Sequence, residues 1–66
     1  MGDVMVLTPA RDVVAGDYIW RNDDLYRVFA VTPDPNRHTV TICLEACRWG
    51  DWTRAATSLV PVERMT

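Results

Sequence analysis

Lysine and glutamine are absent from this chain of 66 residues, histidine occurs once and cysteine only twice. Two cysteines, Cys43 and Cys47, are too few for the disulfide framework that holds small secreted domains together. Four residues apart on one strand, at about 3.3 Å per residue, they would sit about 13 Å from each other, beyond bridging distance. With His38 they supply three metal ligands and no fourth at the usual spacing, so the expected role is that of small buried hydrophobes. No apolar run approaches the roughly 18 residues of a membrane span, and no basic-then-apolar leader opens the chain. With reduced thiols this predicts a cytoplasmic protein that does not engage a membrane. Phosphate-binding glycine loops, zinc-protease and calcium-loop motifs and nucleophile elbows are also missing. His38 has no orienting acid and nucleophile spaced for a catalytic constellation. The paired carboxylates Asp23 and Asp24 fall in a turn, which accounts for them without acid–base chemistry. The chain therefore reads as a non-enzyme without a cofactor.

Charge of one sign is also scarce. Seven basic against nine acidic residues leave a net charge of −2, too small to draw the protein to DNA or anionic lipid by its long-range field. All seven basic residues are arginine, at positions 11, 21, 27, 37, 48, 54 and 64. Arginine forks onto carboxylates and stacks on aromatic rings, although absence of lysine equally reflects the residue usage of a GC-rich genome. At this length one domain is expected, residues 1–66, with a thin core, since folding buries only about 60% of the unfolded surface in so small a chain.

The residues present are 48% hydrophobic and 24% charged, an ordinary globular composition. Glycine and proline punctuate short β-prone segments. Val4 to Leu7 is one such segment, closed by Thr8-Pro9. Residues 11–15 lead into a Gly16-Asp17 turn that feeds Tyr18 to Arg21. Asn22-Asp23-Asp24 reads as a tight hairpin turn, because Asn and Asp tolerate left-handed backbone. The return strand runs from Leu25 to Thr32. Pro33-Asp34-Pro35-Asn36 is the strongest break, with each proline restricting its predecessor to extended geometry. His38 to Leu44 alternates Val40, Ile42 and Leu44 with Thr39, Thr41 and Cys43, the period of a half-buried strand with its aliphatic face inward. Residues 46–48 read either as a helical turn or as the end of that strand. Trp49-Gly50-Asp51 makes a turn and Trp52 to Ala56 a strand. Thr57-Ser58 forms a 3₁₀ step before a last strand, Leu59 to Val62, which Pro61 should confine to an edge or a bulge.

Short strands at roughly 8–12 residue spacing indicate an all-β domain. The stretch from Val13 to Trp20, the Asn22-Asp23-Asp24 turn and the strand Leu25 to Val31 resemble the opening hairpin of SH3-like small barrels. Residues 39–45 and 59–62 are similar to the third and last strands of those barrels. The resemblance implies an SH3-like barrel of about five short antiparallel strands. The Ala-Leu-Tyr-Asp-Tyr run of signalling SH3 domains is missing, which argues against recognition of proline-rich peptides. The chain also resembles short proteins of actinobacteria and their phages, which implies a phage or mobile-element accessory role.

Three tryptophans, two tyrosines and the arginines make up the composition of interaction hot spots. Trp20 and Tyr18 share one strand face, opposite Ile19. Trp49 and Trp52 flank a turn and are placed to project at a barrel rim. Trp20, Tyr26, Arg48, Trp49, Trp52 and Arg54 are the candidate binding residues, for a partner protein or for a second copy of the chain. A thin-cored barrel also uses large rings simply to close itself. Arg48, Trp49, Trp52 and Arg54 interleave cations with rings, a pattern that equally suits stacking on single-stranded nucleic acid. A structural part of a larger assembly, such as a virion, is the third reading.

Overall fold

The computed structural model of the protein describes residues 3–47 and 50–65. Six antiparallel strands form one continuous sheet: β1 (Asp3–Pro9), β2 (Tyr18–Arg21), β3 (Asp24–Asp34), β4 (Thr39–Leu44), β5 (Trp52–Ala55) and β6 (Leu59–Met65). A 3₁₀ turn, Ala10–Asp12, is the one helical element among the described residues. The all-β expectation therefore holds, with six strands where about five were expected. The strand order is β1-β6-β2-β3-β4-β5, so β1 and β5 are end strands. Among the described residues no ladder joins them, and the sheet is open rather than closed.

Each turn follows from local chemistry. Asn22 and Asp23 both take left-handed backbone, with φ of 53° and 67°, between the paired Arg21 and Asp24. This is the two-residue turn whose twist suits a hairpin, and its residues are those that tolerate it. The break expected at Pro33 lies further on. β3 continues through Pro33, opposite Val40, to Asp34, and the turn is made by residues 35–38. Pro33 has no N–H, so its pair with Val40 is a non-hydrogen-bonded one and its nitrogen faces away from β4. That side is open, because β2 pairs only as far as Arg27. The Asp34 carboxylate then accepts hydrogen bonds from the backbone N–H groups of Asn36 (3.1 Å) and Arg37 (3.3 Å). His38 belongs to this turn, at φ 55°, and not to the strand. At the last corner, the N–H of Ser58 bonds the carbonyl of Ala55 at 2.9 Å, the i to i+3 step expected there.

Residues paired across antiparallel strands lie on the same face, so the register assigns the faces of the paired strand residues. In β4 the expected alternation holds: Val40, Ile42 and Leu44 are buried, while Thr39, Thr41 and Cys43 face outward and are half-buried. Ile19, Val28, Val60 and Val62 complete the inner face with no exposed surface. β3 serves both halves of the sheet. Its register shifts between Val28 and Ala30, making Phe29 an extra residue. Tyr26 and Val28 point inward before the bulge, and Val31 and Pro33 after it. The bend folds the wide half (β1, β6, β2 and the start of β3) over the narrow half (the end of β3, β4 and β5). The 3₁₀ turn is fastened to the β5–β6 corner by backbone bonds from Ala10 to Ser58 (2.8 Å) and from Arg11 to Ala56 (3.0 Å).

Pro61 corrects one expectation. β6 is not an edge strand, since β1 and β2 flank it. Leu7 pairs with Pro61, and this must be a non-hydrogen-bonded pair because Pro61 has no donor. The next hydrogen-bonded pair with β2 would need that missing donor. The β2–β6 ladder accordingly stops at Ile19 opposite Val62. It also follows that Val6 and Thr8 bond to β6, whereas the N–H and C=O groups of Met5 and Leu7 point to the free edge. In amide hydrogen exchange, Val6 and Thr8 should be protected and Met5 and Leu7 should exchange rapidly. Protection at Met5 and Leu7 instead would show a strand added at that edge.

Candidate functional surface

The structure divides the candidate aromatic set between two places, and Arg48 and Trp49 lie outside the described residues. Trp52 pairs with Ile42 and Arg54 with Val40, so both side chains lie on the inward face, at the rim of the core. Trp52 packs against the buried cluster, as do Tyr26 and Cys47. Arg21, on the same strand face as the buried Ile19, reaches across from β2. Its guanidinium carbon lies 5.3 Å from the Trp52 ring centre, and that of Arg54 lies at the same distance. Nη1 of Arg21 donates to the Gly50 carbonyl at 2.9 Å. The open seam between β2 and β5 is therefore spanned by two cations on one ring, each contact contributing roughly 0.5–2 kcal/mol. Nε of Arg54 is buried without a hydrogen-bond partner among the described residues, and the ring face is the compensation it has.

Tyr26 also belongs to this rim. Its hydroxyl donates to Oδ2 of Asp24 at 3.4 Å. Desolvation, and then the negative charge of Asp24, push the phenol above its ordinary pKa. Desolvation and a hydrogen bond to Asp51 raise the Cys43 thiol. Both groups are raised in the folded state, so what they add to stability is present below their unfolded pKa values and is lost as the pH climbs through the folded ones. At neutral pH Cys43 is a protonated, weakly nucleophilic thiol. Both cysteines are free. Among the described residues no three His, Cys, Asp or Glu side chains converge on a metal position, and no helix is long and apolar enough to cross a membrane.

Trp20 is the one described candidate on the outward face. Its Nε1 donates to Oε1 of Glu63 at 3.0 Å, and it stands on the same side as Tyr18, as expected. Register places Met5, Glu63, Tyr18 and Arg27 in one row across the wide half. The neighbouring rows bring Leu7 beside Pro61, Trp20 beside Leu25 and Pro9 beside Leu59. Met5 is 61% exposed, Leu7 59%, Leu59 52%, Tyr18 45% and Leu25 42%. Five of the eight exposed large hydrophobic residues among those described thus share one face. The charges in the rows of Tyr18 and Trp20 are Glu63 and Arg27, the latter paired with Glu45 at 2.9 Å, and the register places Asp3 one row further along β1, opposite Met65. Reasoning from aromatic residues alone passes over this surface. Its signal is the absence of alternation: Met5-Val6-Leu7 and Leu59-Val60-Pro61-Val62 are apolar at every position, the pattern of strands covered on both faces.

This division assigns different weights to the two tryptophans. Trp52→Ala should cost about 2–4 kcal/mol in chemical denaturation, since it opens the seam. Trp20→Ala should cost under about 1 kcal/mol. Equal losses would contradict the assignment of Trp52 to the inward face. No protein-family model, no curated protein and no solved structure matches this chain.

Proposed function

We propose that the protein is a small non-enzymatic binding module of the cytoplasm that engages a protein partner through the outward face of its wide half. The observation that carries this reading is the exposed apolar set Met5, Leu7, Tyr18, Leu25 and Leu59, gathered on one side of four paired strands. Contiguous exposed apolar surface of more than about 400 Å² marks a contact surface in a soluble domain. The inner face is already filled, so covering the outer face is not needed to complete the core. Trp20 supplies the aromatic element expected of such a surface, held in place by Glu63. Tyr26, Trp52 and Arg54 serve the reading indirectly, by closing the rim that keeps the sheet curled. An SH3-like ancestry and a phage or mobile-element setting remain part of this proposal, on the sequence resemblance alone.

Binding of single-stranded nucleic acid is the weaker reading. Of its four residues, Arg48 and Trp49 lie outside the described ones, while Trp52 and Arg54 are turned to the core and occupied with each other, and the outward face is apolar rather than basic.

Leu7→Glu and Leu25→Glu each place a charge on the exposed face. Thermal unfolding should shift by no more than about 0.5 kcal/mol equivalent, while every protein association of the chain is lost. Associations that persist in both variants would overturn docking by this face. Saturable quenching of tryptophan emission by a single-stranded oligonucleotide at low salt would move the reading to nucleic acid.

A further inference from the structure

We infer that the occupant of the outward face is a second copy of the same chain, packed face to face about a two-fold axis that runs parallel to β2. This rests on the docking reading above and deepens it. Charge, geometry and area together support it.

Two opposite charges of the face flank Tyr18 in a single row: Glu63 on β6 to one side and Arg27 on β3 to the other. Neighbouring strands are about 4.8 Å apart, so the two charges are nearly equidistant from β2. A two-fold axis lying between two facing sheets and parallel to β2 exchanges left for right within each row. Glu63 of one copy then stands opposite Arg27 of the other, and the same pair forms a second time by symmetry. Tyr18 meets Tyr18, Trp20 meets Trp20, and Leu25 faces Pro61. An axis across the strands would set Glu63 against Glu63 and Arg27 against Arg27, which like-charge repulsion disfavours. Each charge has capacity left, because Trp20 occupies Oε1 of Glu63 and Glu45 occupies Nη1 of Arg27. Of the two orientations, only the axis along β2 makes the Glu63 and Arg27 pair self-complementary.

Two aligned sheets packed at about 10 Å interdigitate side chains as the layers of a sandwich do. About this axis Tyr18, Trp20, Leu25 and Pro61 of both copies form the centre of the contact, with Met5 and Leu7 on β1 at its margin, an interface at the small end of the specific range near roughly 1,000 Å². The interface is isologous and closes on itself, so it yields a dimer and not a filament. Pairing through the β1 edge would leave Tyr18, Leu25 and Leu59 uncovered, and is disfavoured for that reason.

Sedimentation of the full chain tests the inference, together with charge exchange. Wild-type protein should be a dimer at tens of micromolar. Glu63→Arg and Arg27→Glu should each weaken dimerisation about tenfold, since two symmetric pairs turn repulsive, and the double variant should restore it. A second measurement does not depend on those variants folding well. Tyr18→Cys, placed on the axis, should cross-link to its counterpart under mild oxidation, whereas Thr53→Cys on the narrow half should not. A chain that stays monomeric to about 1 mM, a double variant no better than the single ones, or Tyr18→Cys failing to cross-link would overturn the inference. If a monomeric chain still captures another protein, and Leu25→Glu abolishes that capture, the docking reading survives and only the identity of the occupant falls. If Leu25→Glu changes nothing, both fall.

Discussion

One extra residue in one strand sets the geometry on which the rest depends. Phe29 shifts the register of β3 between Val28 and Ala30, so the residues facing inward change from even to odd numbers along the strand. Without that shift Ala30 would stand opposite the buried Ile42 and Val31 would face outward opposite Thr41, and β3 could not serve two halves of a sheet around one core. The bulge lets eleven residues of a single strand bend from the wide half into the narrow half. The core it encloses is small, with Ile19, Val28, Val40, Ile42, Val60 and Val62 as its largest fully buried side chains. Chains of this size hold a narrow margin of stability. The stacking of Arg21 and Arg54 on Trp52 at the seam is therefore a sizeable contribution.

The same economy bears on function. A sheet with one face filled and the other in water would normally show alternating apolar and polar residues in every strand. β4 does so. β1 and β6 do not over residues 5–7 and 59–62, and their outward residues there join Tyr18 and Leu25 in an apolar surface that Glu63 and Arg27 border. No stability within the single chain requires that surface. In the proposed reading association gives it a use, and the placement of Glu63 and Arg27 about Tyr18 favours one orientation of two copies electrostatically. The large side chains are thus divided between the seam and the outward face. Trp52 and Tyr26 line the inward rim, and Trp20 and Tyr18 stand on the outward face proposed for docking.

The parts of the fold that are legible in the sequence are those governed by local rules. The period of two in residues 39–44, the left-handed tolerance of Asn22 and Asp23, and the turn at Gly16 (φ 98°) each depend on a few neighbouring residues. Pro33 and Pro61 are not legible in this way, because a proline's acceptability depends on which side of the strand carries a partner, and residues far away decide that. Pro33 faces the side that β2 has left, and Pro61 sits where the β2–β6 ladder ends. The sixth strand is the N-terminal segment, long enough to pair along the whole of β6, for which a barrel of about five strands has no place. For the candidate site, residue type points to Trp20, but composition does not separate rings turned inward from rings turned outward. Tyr26, Trp52 and Arg54 need the register to be assigned to the core side. The apolar runs in β1 and β6, by contrast, are visible in the sequence, but their meaning emerges only once both faces of the sheet are known.

If the outward face of the wide half is buried against another copy, methyl and aromatic NMR of the full chain with a soluble paramagnetic probe reports directly on it. At dimer concentrations Tyr18, Leu25 and Leu59 should be shielded from the probe, while the exposed Val14, which lies outside the sheet, stays accessible. Line broadening of all four residues in proportion to their exposure in the single chain would contradict the account.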